Sequence, residues 1–186
     1  MQPLGTLTAF AERRGVEVDF TDVRAARALQ DASAYIRGYT GQIFDAVTDD
    51  VITREGSGRY KLLLPQLPVT AVTAVSEIDQ DGTATVLETT AYRVDAYGML
   101  RRFDSCVWYT DRDYAITYDH GYDTVPLDIE AACYELAASN YVASGSGAVT
   151  QETIGNYAVT YDAASVGVAD VPATVKNTLG RYRVPK

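Results

Sequence analysis

Apolar residues early in the chain recur at helical spacing. Ala25, Leu29, Ala32, Ile36 and Tyr39 follow one another every three or four positions, which places them on one face of a helix. Arg24, Arg27, Asp31 and Arg37 fall largely off that stripe. The run VRAARALQDASAYIRGYTG is therefore expected to be helical, capped by Thr21 or Asp19, with Asp22 at the positive end of its dipole and Gly38 and Gly41 at its fraying end. A shorter helix is expected before it, over Thr6–Arg14.

From about Val51 the period falls to two. Arg59–Leu64 precedes Pro65 and Pro68, VTAVTAVSEI alternates from Val69, and Asp81–Gly82 turns into TATVLE as a hairpin. TAYRVDA, a turn at Tyr97–Gly98, MLRRF and RDYAITYD follow, the last ending at His120–Gly121. Five to six short strands form a small antiparallel sheet or barrel. A second long helix then opens with Pro126 at its first position and Asp128 and Glu130 in its first turn. Its stripe is Ile129, Cys133, Leu136 and Ala137, supplemented by Ala132 and Tyr141. Alanines 131, 132, 137 and 138 let a neighbouring helix come close, and Ser144–Gly147 ends the element as a joint. VTQETIG and NYAVTYDAA pair as a further hairpin, and Pro172 opens a final short helix.

The predicted fold is α+β: a small helical bundle with an antiparallel β block inserted between the two long helices. Residues 1–48 and 124–186 are mainly helical, residues 49–123 form the β insertion, and the whole of 1–186 makes one domain. Its 186 residues suffice to bury a core without metal or disulfide.

Charge narrows the function classes. The chain holds 16 Lys+Arg against 25 Asp+Glu, a net charge of −9. That balance disfavours a sequence-independent grip on nucleic acid or an anionic membrane, both of which call for clustered cations. Residues 124–170 contain 6 acids and no base, whereas residues 171–186 contain 4 bases and no acid, an asymmetry suited to docking. No run of about 18 apolar residues is present to span a membrane, and the opening MQPLGTLTAFAERRG lacks the pattern of a signal peptide. Cys106 and Cys133 show no CxxC spacing and read as free thiols, so the chain is expected to be soluble and cytosolic.

Chemistry-bearing motifs are sparse. His120 is the single histidine, too few for a multi-His metal site, and is expected to close a strand-to-helix turn; a catalytic dyad with Cys106 or Cys133 is the competing reading. Cys106, beside Trp108, reads as a strand core position. No nucleophile elbow, phosphate loop or HExxH occurs. Glu77, Asp79, Asp81 and Glu88, with Gly82 at the sixth place, match the spacing of a calcium loop, although a Glu stands first and strands flank it. The same residues suit a plain Asp–Gly hairpin. The 14 tyrosines favour protein interfaces over core packing alone.

Several segments in order resemble the head-to-tail connector (adaptor) proteins of tailed bacteriophages. They are SAYIRGYTGQ, LLLPQLPVTAVTAV, YRVDAYGMLRR, Trp108 and ITYDHGYDTVPLDIEAACYELAA, a strand running through a HGY turn into a Pro-started, alanine-rich helix. The resemblance implies a structural virion protein of the neck, with no catalysis and no cofactor. It implies a ring, typically of twelve copies, below the portal protein, extending a channel through which genomic DNA passes without specific binding. A downstream neck or tail-completion protein docks on its far side. It also implies that residues 172–186 engage the portal, with Lys176, Arg181, Tyr182, Arg183 and Lys186 as the contacting side chains. A stopper or tail-completion protein, or a calcium- or carbohydrate-binding module, are the alternatives.

Overall fold

The computed structural model describes residues 2–14, 22–95, 97–104, 106–145, 151–154, 157–160 and 171–183. The fold is α+β, with the β block between the long helices. The chain divides into two compact units, Met1–Thr40 with Val125–Arg183, and Gly41–Thr124.

The first unit is helical. Helix α1 spans Leu7–Arg14, and Thr6 Oγ1 accepts the Ala9 N–H at 3.2 Å as its cap. Helix α2 spans Val23–Thr40. Asp22 caps it: its Oδ1 accepts the N–H groups of Arg24 (2.8 Å) and Ala25 (3.4 Å). A carboxylate placed immediately before the first helical residue reaches the second and third amides, which have no partner inside the helix. Residues 19 and 21 lie outside the described residues. Helix α3, Leu127–Gly145, starts one residue after the expected Pro126, whose carbonyl accepts the N–H groups of Ile129 and Glu130. Ser146 and Gly147 of the expected joint are outside the described residues.

Helices α2 and α3 pack together. Ala25, Leu29, Ala32 and Ile36 on one, and Ile129, Cys133, Leu136 and Ala137 on the other, are all buried. At their contact Ser33 donates to the Leu29 carbonyl at 2.7 Å, accepts the Leu4 N–H at 2.9 Å and lies 3.4 Å from Cys133 Sγ. Tyr39, expected on the buried stripe, is half-buried and stacks on Tyr35 at 6.1 Å. Helix α4, Ala173–Gly180, buries Val175 and Leu179 and packs on α3 and α2. Strands β8 (Gln151–Ile154) and β9 (Tyr157–Thr160) pair as the expected hairpin.

The second unit holds β1 (Val47–Glu55), β2 (Lys61–Leu63), β3 (Val69–Ile78), β4 (Ala84–Val86), β5 (Tyr92–Val94), β6 (Met99–Arg102) and β7 (Asp113–His120). Strand β1 begins before the alternation becomes legible in the sequence. Asp49 and Asp50 disfavour strand, a register shift interrupts its pairing, and Asp49 has a φ of 53°. The antiparallel sheets run β1-β7-β3-β4 and β2-β6-β5. Their inward faces meet in one core: Leu62, Tyr92 and Leu100 from the smaller sheet, and Val75, Tyr114, Ile116 and Tyr118 from the larger, around Trp108. Gly121, at φ +92°, ends β7 where its backbone lies against the Asp45 carbonyl; a Cβ there would sit 2.2 Å from that oxygen. Tyr122 then donates its N–H to the Phe44 carbonyl at 3.0 Å.

Leu100 is fully buried in this core. Leu100→Ala is expected to destabilise the protein by about 2–5 kcal/mol through lost burial and a residual cavity. Urea unfolding measures it, and a loss below about 1 kcal/mol would contradict a close-packed two-sheet core.

Candidate docking site

The basic C-terminal segment is seated on its own helical unit. The Tyr182 hydroxyl donates to Asp128 Oδ1 at 2.8 Å, and Arg181 Nη2 stands 4.0 Å from Asp128 Oδ2. The Arg183 guanidinium lies 5.8 Å from the centre of the Tyr39 ring. Thr174 donates to Glu135 Oε1 at 3.1 Å. Val175 and Leu179 anchor the helix inward, while Lys176, Arg181 and Arg183 remain exposed. Among the five expected portal-contact residues the structure thus gathers Arg181, Tyr182 and Arg183 beside Asp128 and Tyr39 and carries Lys176 on α4. Lys186 lies outside the described residues.

A groove of about 670 Å³ runs between α1 and α3 in the same unit. Phe10, Tyr134, Ala138 and Val142 give it apolar walls, and Arg13 and Glu135 supply charge. Of the four alanines expected to admit a neighbour, Ala132 and Ala137 pack inside the unit, while Ala131 and Ala138 line this groove.

The calcium-spaced residues are not arranged around a common centre. Glu77 points inward and accepts from Arg102 Nη1 (3.2 Å), Tyr114 Oη (3.1 Å) and Arg112 Nη1. Asp79 faces Arg112 at 3.2 Å. Asp81 accepts the Thr83 N–H at 3.0 Å in a turn where Gly82 has a φ of +83°. No group of three or more acidic, His or Cys side chains able to hold a metal occurs among the described residues.

Glu77 belongs instead to a network that sequence spacing did not reveal. Arg102 is 6 % exposed and is also held by both carboxylate oxygens of Asp104, with its guanidinium 5.3 Å from the Trp108 ring centre. Trp108 meets Tyr114 edge to face at 4.8 Å. Burial pushes the Glu77 carboxyl up, but hydrogen bonds from Arg112, Tyr114 and Arg102 outweigh it and hold it below its ordinary value. Burial likewise raises the Tyr114 hydroxyl to about 12. The readable signal was the inward parity of Glu77 and Arg102 on their strands, since a charge that faces a core must find a partner.

His120 ends β7 as expected, with its side chain buried and Nε2 3.2 Å from Asp50 Oδ2. Cys106 is not on a strand; it lies half-buried in the loop between β6 and β7. Cys133 is buried on α3, where burial raises its thiol. Tyr92, Tyr114, Tyr118 and Tyr134 serve the two cores, whereas Tyr35, Tyr60, Tyr97 and Tyr109 are exposed.

A model of the head completion protein family matches residues 4–184. The chain belongs to this family. The chain is accordingly a structural component of the head–tail neck. Its fold is similar to chains in three solved particles. One is described as the virion of a native gene transfer agent, with a TM-score of 0.61, 19 % identity and 100 % of this chain covered against 90 % of that one. The neck of an empty gene transfer agent particle, computed with sixfold symmetry, gives 0.59 and 18 %, covering 100 % and 90 %. The neck of a native particle, computed with twelvefold symmetry, gives 0.56 and 18 %, covering 97 % and 88 %. No curated protein matches the chain in sequence. None of its described helices is long and apolar enough to cross a membrane.

The depressed Glu77 carboxyl sets a pH dependence. Its stabilising contribution is fully present above the ordinary value of 4.5 and is lost as pH falls through the lower folded value. Glu77→Gln is expected to flatten the acid limb of the stability curve and, by leaving Arg102 underpaired, to cost about 3–5 kcal/mol near neutral pH. Denaturant midpoints between about pH 3 and pH 7 measure both effects.

Proposed function

We propose that this protein is the head–tail connector that sits directly below the portal and assembles there as a single-domain ring of about twelve copies. The match to the head completion protein family over residues 4–184 carries the reading. The twelvefold symmetry of the neck in which a similar chain occurs supports the copy number. On this reading the ring extends the DNA channel, and its far rim receives the next neck or tail-completion protein. The work is assembly, without catalysis. A net charge of −9 suits a conduit that lets DNA slide, because an acidic wall repels phosphate where a basic wall would hold it.

Residues 172–186 are the proposed portal-docking segment. The exposed guanidinium of Arg181, at 69 % side-chain exposure, and that of Arg183 supply charge outward while Val175 and Leu179 hold the helix from within. Docking that recruits the Tyr182 ring draws its hydroxyl off Asp128. In that step Asp128 takes the part of a latch.

Purified portal rings from the same particle test the assignment. The full chain is expected to cap each ring with a defined number of copies, counted by electron microscopy and mass, and removal of residues 172–186 is expected to abolish capping. Because truncation also uncovers the surface under Val175 and Leu179, Arg181→Glu with Arg183→Glu provides the folded counterpart, with binding at least about tenfold weaker. An intact chain that never binds the portal would move the protein to a lower neck position.

A further inference from the structure

The two outer faces of the Gly41–Thr124 unit carry opposite charge. In the three-stranded sheet Lys61 stands directly opposite Arg101, and Arg101 directly opposite Arg93. Directly opposed residues share a face with Cβ atoms about 5 Å apart, so three cations form one row across the sheet. All three are exposed. Phe103, two residues beyond Arg101, is 54 % exposed, and the Arg93 guanidinium lies 5.4 Å from its ring centre. Among the described residues neither Lys61 nor Arg101 has an ion-pair partner.

The four-stranded sheet shows the converse. Glu55 stands directly opposite Asp113 on its outer face, both exposed and without an ion-pair partner among the described residues. The same face carries Val51 (61 % exposed) across from Thr117, and Val86 (68 %) across from Ser76. Like charges directly opposed on a sheet weaken it. Each row is therefore unfavourable in the isolated subunit and is relieved by a surface of the other sign. Since the inward faces of both sheets build one core, these two outer faces lie on opposite sides of the unit.

We infer that in the ring the cationic face of one copy packs on the acidic face of the next, sheet against sheet. Lys61, Arg93 and Arg101 meet Glu55 and Asp113, and Phe103 lies against the exposed valines. The inference rests on the ring reading above and names its subunit contact. Two different faces of opposite charge on opposite sides make a head-to-tail contact that passes from copy to copy until it closes, whereas a two-fold contact would set like charge on like. An aromatic flanked by arginines is the composition of a protein interface. DNA is the weaker occupant for the cationic row, because Gly41–Thr124 holds 14 acids against 7 bases and its field repels phosphate.

The test uses two charge-reversed full-length proteins, K61E/R93E/R101E and E55K/D113K, whose altered side chains are all exposed and whose thermal melts should match the wild type. Each alone is expected to lose ring formation on portal rings by at least about tenfold, since every contact then sets like charge against like. An equal mixture of the two is expected to restore wild-type copy numbers, because alternating subunits again oppose unlike rows. A reversed protein that assembles alone as well as the wild type overturns the contact, as does a mixture that fails to recover. If K61E/R93E/R101E assembles normally but its particles lose packaged DNA, the row is a phosphate contact and the inference fails. If the wild-type protein itself forms no ring, the ring reading falls first and this contact with it.

Discussion

A buried guanidinium organises the β unit. Arg102 has a side chain 4 % exposed, and a charge withdrawn so far from water is tolerated only with partners for its donors. Glu77 on β3 and Asp104 beyond β6 supply them, while Tyr114 donates to the Glu77 oxygen that Arg102 also holds and Arg112 to the other. The network thereby ties the three-stranded sheet to the four-stranded one across Trp108. Hydrogen bonds are directional, so this set admits one register between the sheets where apolar packing alone would tolerate several.

Fixing the inward faces also fixes the outward ones. With Arg102, Leu100 and Leu62 turned in, the alternation of the strand forces Arg101, Lys61 and Arg93 out together. The same parity turns Glu55 and Asp113 out on the opposite side. The polarity of the unit is thus a by-product of how its core is closed. In the helical unit a different device operates: alanines let α2 and α3 approach, and Ser33 links Leu4, Leu29 and Cys133 at the contact. The C-terminal helix is held there by Val175, Leu179 and the Tyr182–Asp128 hydrogen bond, so its basic side chains are presented from a fixed base.

Much of this was legible from the residues. The stripes of α2 and α3, the alternation of β3 and β7, the Asp81–Gly82 turn and the α+β order all follow from periodicity. What failed to show were features in which side chains override the local pattern. Asp22, expected only at the positive end of the dipole, also caps α2, because its carboxylate reaches the second and third amides. Strand β1 hid behind Asp49 and Asp50, whose poor strand propensity is overridden by pairing with β7. Glu77 fitted a calcium-loop spacing, yet it faces two arginines brought from β6 and from the turn just before β7, 25 and 35 residues away.

The sequence by itself determined the elements, their order and the charge carried by each segment, because propensity and periodicity act over a few residues. Only the tertiary structure decided which charges became neighbours. Lys61, Arg93 and Arg101 are scattered over forty positions and acquire meaning as a row only when three strands align. Cross-strand register is a long-range property, set by the shape of the shared core and by the need to pair a buried charge, and no local pattern encodes it.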